Sequence, residues 1–100
     1  MPKTGKQILD DYAHDIHAAQ GMVEAATRYN NELMARSAYE FAHGLHEKWE
    51  TEVQRLSGAG RPRPDGPNNI AAYEMAQKRY TLSKKPLADM EKRMKERGWI

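Results

Sequence analysis

The chain has no cysteine among its 100 residues. That excludes disulfides, thiolate nucleophiles and thiolate metal sites. No apolar run approaches the ~20 residues needed to cross a bilayer. The opening residues, Met1-Pro2-Lys3-Thr4-Gly5-Lys6, lack the apolar core of a secretory leader. Together these absences predict a cytoplasmic protein with no membrane partner. Proline is missing from residues 5–56, so nothing there interrupts helical periodicity. Also missing are a glycine-rich phosphate loop leading into a helix and a His-Glu-x-x-His pair. Ser37, Ser57 and Ser83 have no nucleophile context. We therefore expect no enzyme and no cofactor.

What the chain does contain is helical periodicity. Leu9, Tyr12, Ile16, Ala19, Val23 and Ala26 recur at three- and four-residue steps and form one apolar stripe. Met34, Ala38, Phe41, Leu45, Trp49, Val53 and Leu56 form a second, out of register with the first. Tyr29-Asn30-Asn31 separates them, and asparagine favours caps over helix interiors. The spacing predicts a helical hairpin turning near Asn30, with a single long helix as the alternative. Residues 57–69 hold three of the seven glycines and three of the five prolines, a density that ends a helix and reads as a linker. Beyond it, Asn69 can cap a helix over about 70–82, and Ser83 can cap another with Pro86 in its first turn. Gly98 is placed as a left-handed C-cap, with Trp99 folding back. No segment alternates with period two, so no sheet is expected. The fold class is all-α, with an acidic segment 1–56, a linker 57–69 and a basic two-helix segment 70–100, together one domain.

Charge divides the same way. Residues 1–54 carry five cations against nine acids, a net −4; residues 55–100 carry eleven against five, a net +6. The basic half groups Lys78, Arg79, Lys84, Lys85, Lys92, Arg93, Lys95 and Arg97, with Tyr73, Tyr80 and Trp99 between them. Clustered cations neutralise phosphates and aromatic rings stack on bases, so an anionic partner is expected, with nucleic acid the leading candidate. Residues 74–100 add a spacing signal in Ser83-Lys84-Lys85-Pro86-Leu87-Ala88-Asp89-Met90-Glu91-Lys92-Arg93-Met94-Lys95-Glu96-Arg97-Gly98-Trp99-Ile100, with Gln77 and Thr81 departing from the pattern where it has an alanine and a turn glycine. This stretch resembles the helix-turn-helix of MarR-type winged-helix regulators, loosely and over about a quarter of the chain. The resemblance implies a recognition helix with Leu87, Met90 and Met94 inward and Lys84, Lys85, Ala88 and Lys92 toward a DNA groove.

All four histidines lie in a short repeat. Asp11-Tyr12-Ala13-His14-Asp15-Ile16-His17 matches Glu40-Phe41-Ala42-His43-Gly44-Leu45-His46. An acid or a second His three residues away shares a helix face with each His, and facing helices of this kind can hold a metal. His14, His17, His43 and His46 are thus candidate ligands for a Zn²⁺-like ion. Against that, His14 and His43 lie well off the apolar stripes and His17 and His46 at their edges, as solvated histidines do. Trp49, Phe41, Tyr39 and Trp99 are candidate anchors for a protein partner or for self-association. The resulting expectation is a non-enzymatic helical binding protein. In style it resembles the small accessory, inhibitor or assembly proteins of phages and other mobile elements.

Overall fold

In the computed structural model three helices carry the chain: α1 (Gly5–Arg28), α2 (Glu32–Leu56) and α3 (Pro67–Glu96). The structure describes residues 3–58, 61–62 and 67–100. Residues 59–60 and 63–66 of the expected linker lie outside the described residues. Beside the helices stands one unanticipated feature, a two-residue antiparallel ladder with Ser57 opposite Pro62 and Gly58 opposite Arg61.

Local chemistry sets the helix ends. Thr4 caps α1 by accepting from the Gln7 backbone N–H, and the Gln7 side chain accepts from the Thr4 backbone in return, a reciprocal capping box. At its other end the Asn31 N–H reaches Ala26 C=O at 2.8 Å while Asn30 takes φ 55°. Asparagine tolerates that left-handed geometry. Asn31 then accepts from the Met34 N–H at 3.1 Å and starts α2. The same closure ends α3: Gly98 takes φ 73°, its N–H bonds Lys95 C=O at 3.0 Å, and the Trp99 N–H bonds Met94 C=O at 2.9 Å. These two bonds form a Schellman motif, and its usual apolar contact is supplied by the buried Trp99 and Met94.

Each helix packs against both others. Gly5 lies beside Met75, Gln20 beside Asp89, and Arg97 beside the end of α1. Hence α1 and α3 run the same way and α2 opposes them. The main core joins Tyr12, Ile16, Ala19, Val23 and Ala26 of α1 to Ala35, Ala38 and Ala42 of α2 and to Leu87, Met90, Met94 and Trp99. A smaller cluster of Leu56, Tyr73 and Ala76, with Trp49 and Val53 against it, fills the opposite end. In α2 the buried positions are mostly alanine, which lets two neighbours approach its backbone closely.

Two expectations fail on α3. It starts at Pro67 rather than after Asn69, and it runs unbroken through Ser83 and Pro86. Ser83 is not a cap; it is fully buried mid-helix, with its hydroxyl turned back on the Tyr80 and Arg79 carbonyls at 3.0 and 3.2 Å. The reason is an apolar stripe that never stops: Tyr73, Ala76, Ser83, Leu87, Met90 and Met94 are all buried, and Tyr80, half-buried, completes the three–four spacing. Burial along the whole stripe outweighs the one backbone bond Pro86 cannot make. On α2, Phe41 is not a core residue but lies exposed, because the buried seam runs through Ala35, Ala38 and Ala42.

Candidate functional site

The basic half of the chain separates by residue type once folded. Arg79 and Arg93 of α3, and Arg97 just past its end, are engaged. Arg79 lies half-buried over the Trp49 ring, 3.9 Å from its centroid. Arg93 bonds Asp89 at 3.0 Å. Arg97 donates to the Thr27 carbonyl near the end of α1. A planar guanidinium suits such fixed contacts. The Asp89 carboxyl is held below its ordinary range, first by the Gln20 amide that donates to it and then by Arg93.

The lysines face outward. Lys78, Lys84, Lys85, Lys92 and Lys95 are all exposed, and among the described residues no ion pair ties any of them. Lys78, Lys85 and Lys92 are spaced by seven, so they line one stripe with a step of about 10.5 Å. Lys84 stands 5.6 Å from the Tyr80 ring centroid. Of the acids on α3, Glu91 accepts from the Tyr39 hydroxyl at 2.8 Å and Asp89 is bonded as above. Glu74 and Glu96 flank the lysines on either side. The Tyr39 hydroxyl is pushed up to about 12 by burial and by that carboxylate.

The aromatic residues expected to interleave with these cations turn inward. Tyr73 and Trp99 are buried, and Tyr80 stacks on His46 with ring centroids 4.8 Å apart. The lysine face therefore offers charge and no ring for base stacking. The helix-turn-helix expectation is also corrected, since Thr81 lies within an unbroken helix and there is no turn between two helices. Leu87, Met90 and Met94 do point inward, and Lys84, Lys85, Ala88 and Lys92 outward.

The four histidines are not brought together. His14 lies exposed beside the outer groove between α1 and α2, and His17 lines a groove between α1 and α3. His43 packs on Tyr39, ring centroids 5.5 Å apart. His46 points at α3, its Nδ1 2.7 Å from the Ser83 hydroxyl. Among the described residues no three His, Asp or Glu side chains gather where they could hold a metal ion.

His46 and Ser83 belong to a polar node between the helices. Tyr12 lies beside it, and burial pushes its phenol upward. Its hydroxyl is close enough to Ser83 and Arg79 for both to oppose that rise, yet it completes no hydrogen bond of ordinary geometry. Burial also lowers the His46 imidazole.

Of the four candidate anchors, Trp99 is in the core, Tyr39 is tied to Glu91, and Trp49 is half-buried between Arg79 and Tyr12. Phe41 alone is exposed, joined by three residues sequence reasoning passed over: Met22, Tyr29 and Leu33. Their signal was that each is apolar but lies off its helix's stripe or, for Tyr29, past the end of α1. Among the described residues no helix is long and apolar enough to cross a membrane. No protein-family model, curated protein or solved structure matches this chain.

Proposed function

We propose that this chain is a non-enzymatic, cytoplasmic binding protein whose α3 lysine face contacts the phosphate backbone of duplex nucleic acid. In this reading α1 and α2 form a hairpin, and a Gly/Pro linker joins it to the basic helix. The carrying observation is the division of cations on α3 and just past its end, with arginines engaged within the chain and five exposed lysines left to solvent. With the aromatics turned inward, recognition rests on charge alone. That favours a regular phosphate array over a single strand read by stacking.

The five lysines span about 25 Å of helix. Five phosphate contacts give log K a slope of about −4.5 against log salt, a roughly 500-fold loss from 50 to 200 mM. The test is anisotropy of labelled duplex and single-stranded DNA across that range. The expected result is duplex binding with this slope, abolished by Lys85→Glu with Lys92→Glu at unchanged helix content. Absence of binding at the lowest salt sinks the reading, and so does binding indifferent to that double substitution.

A further inference from the structure

A groove of about 260 Å³ opens between the first half of α1 and the second half of α2. Ile8 and Leu45, both half-buried, give it apolar walls. Tyr12 and Trp49 meet edge to face beside them, ring centroids 6.4 Å apart. Arg79 lines the groove too, although it belongs to α3. Its side chain crosses from the third helix, lies over the Trp49 ring and reaches a groove that the other two helices form.

That guanidinium has a ring beside it but no acceptor. Its Nε is enclosed and makes no hydrogen bond within the protein, and neither does the neighbouring Tyr12 hydroxyl. The ion pairs among the described residues leave out both Arg79 and Lys48. Burial lowers the Arg79 guanidinium, and only the Tyr12 phenol opposes that, with no carboxylate adding to it. Arginine keeps its charge regardless. A charge drawn out of water without a counter-ion is costly, and a guanidinium fork is shaped for a carboxylate.

The charges around the groove are uneven. On the α1 rim Lys3 pairs with Asp11 and stands near Asp15. On the α2 rim Lys48 is exposed, with its Nζ 5.2 Å from the Trp49 ring centroid. The Arg79 guanidinium carbon is 3.9 Å from the same centroid, so the two cations are at most about 9 Å apart. Glu52, one turn beyond Lys48, is held by Arg55 at 2.7 Å. Three cations thus face two acids around the groove, and the surplus positive charge lies beside Trp49.

We infer that this groove binds a small carboxylate carrying a short apolar or aromatic body. The carboxylate meets the Arg79 guanidinium and the Lys48 ammonium, and the body lies against Ile8, Leu45 and Trp49. A single surplus charge suits a monoanion. The volume, just under the ~300–1,000 Å³ of drug-sized ligand pockets, sets the size of the body. The site lies apart from the lysine face of α3, whose Lys78 and Lys85 line grooves between α1 and α3. It goes beyond the nucleic-acid reading and does not depend on it.

The test follows tryptophan fluorescence of the full chain, without nucleic acid, during titration with sodium benzoate at constant ionic strength. The expected result is a saturable change with a dissociation constant of about 1 mM, ordinary for a ligand of this size. Acetate has the head without the body and should bind about ten-fold more weakly; chloride should give no saturable change. Lys48→Glu sets a carboxylate beside Arg79 and should abolish binding at unchanged helix content, since residue 48 is exposed. Asp15→Asn is the stronger arm. It removes an acid from the rim and should tighten binding about twofold, which a damaged fold cannot do. Lys85→Glu with Lys92→Glu should bind benzoate normally, which separates this proposal from the lysine-face reading. The absence of a saturable change overturns it. So does binding that Lys48→Glu leaves intact, that Asp15→Asn weakens, or that acetate or chloride matches.

Discussion

Ser83→Ala removes one oxygen from the interior and should unfold the protein several degrees earlier. Ser83 is fully buried, and its hydroxyl has one proton and several neighbours: the His46 Nδ1 at 2.7 Å and the Tyr80 and Arg79 carbonyls. The Ser83 hydroxyl can donate or accept, so it serves the His46 Nδ1 in either tautomer of the ring. Alanine leaves the His46 Nδ1 facing α3 with no partner. Stranding a buried polar group costs about 1–3 kcal/mol. The His46 side chain keeps 13% of its surface in contact with solvent, which moves the figure toward about 1.5 kcal/mol. For a domain of this size that is a fall of roughly 6–12 °C in the midpoint. His46→Phe should cost less, because Ser83 retains its carbonyl partners and the ring can still stack on Tyr80. The double variant strands nothing, so its cost should fall short of the two single costs combined by about 1 kcal/mol or more. Urea melts followed by far-UV circular dichroism, at about pH 7.5 where an ordinary imidazole is neutral, measure the cycle. Additivity within ~0.5 kcal/mol would mean that the bond contributes nothing specific and that α2 and α3 are held by apolar burial alone.

Acid should destabilise the protein in two stages. The His46 imidazole is lowered by burial from 6.5, so the unfolded chain binds the proton first. Its contribution is complete above about pH 6.5 and is lost as pH falls below that. Asp89, lowered from 3.8 by Gln20 and Arg93, contributes above its ordinary value, and that share is lost as pH falls through its folded range. Stability measured against pH should therefore show an upper step that His46→Phe erases and a lower step that Asp89→Asn erases; a single step common to all three proteins would refute this. Gly98→Ala forces a side chain into φ 73° and should cost about 1 kcal/mol. A neutral result in the same urea melts would show that the end of α3 frays without consequence.

The first helix was legible because its signal is redundant. In α1 the apolar stripe, the Thr4-x-x-Gln7 box and the asparagines after Arg28 all agree, and the buried residues Tyr12, Ile16, Ala19, Val23 and Ala26 are those the spacing selects. In α3 the local and global signals conflict. Ser83 and Pro86 read locally as a helix start, while the stripe from Tyr73 to Met94 keeps its three–four spacing straight through them. The longer pattern wins because each turn of it buries a side chain, whereas proline removes a single backbone bond. A polar residue on an apolar stripe is the sign of such a conflict. Ser83 fits there because its hydroxyl bonds its own helix and His46.

The lysine face was legible only in part, for a reason that lies in geometry. Sequence counts Lys78, Arg79, Lys84, Lys85, Lys92, Arg93, Lys95 and Arg97 as equivalent charges. Folding assigns them different work according to angle around α3. Arg79 falls toward Trp49 of α2, Arg93 toward Asp89 of its own helix, and Arg97 toward the end of α1. Each of these positions puts a fork of N–H donors beside an acceptor or a ring, where lysine would supply only a point charge. The solvent-facing positions need no such fit, and lysine fills them. It follows that Arg79→Lys should act as a stability mutation, seen in the melt, and Lys85→Ala as a binding mutation, seen in the salt slope, although both alter one cation on the same helix. Net charge marks this half of the chain as basic; the arrangement around α3 decides which of its cations are left to meet a partner.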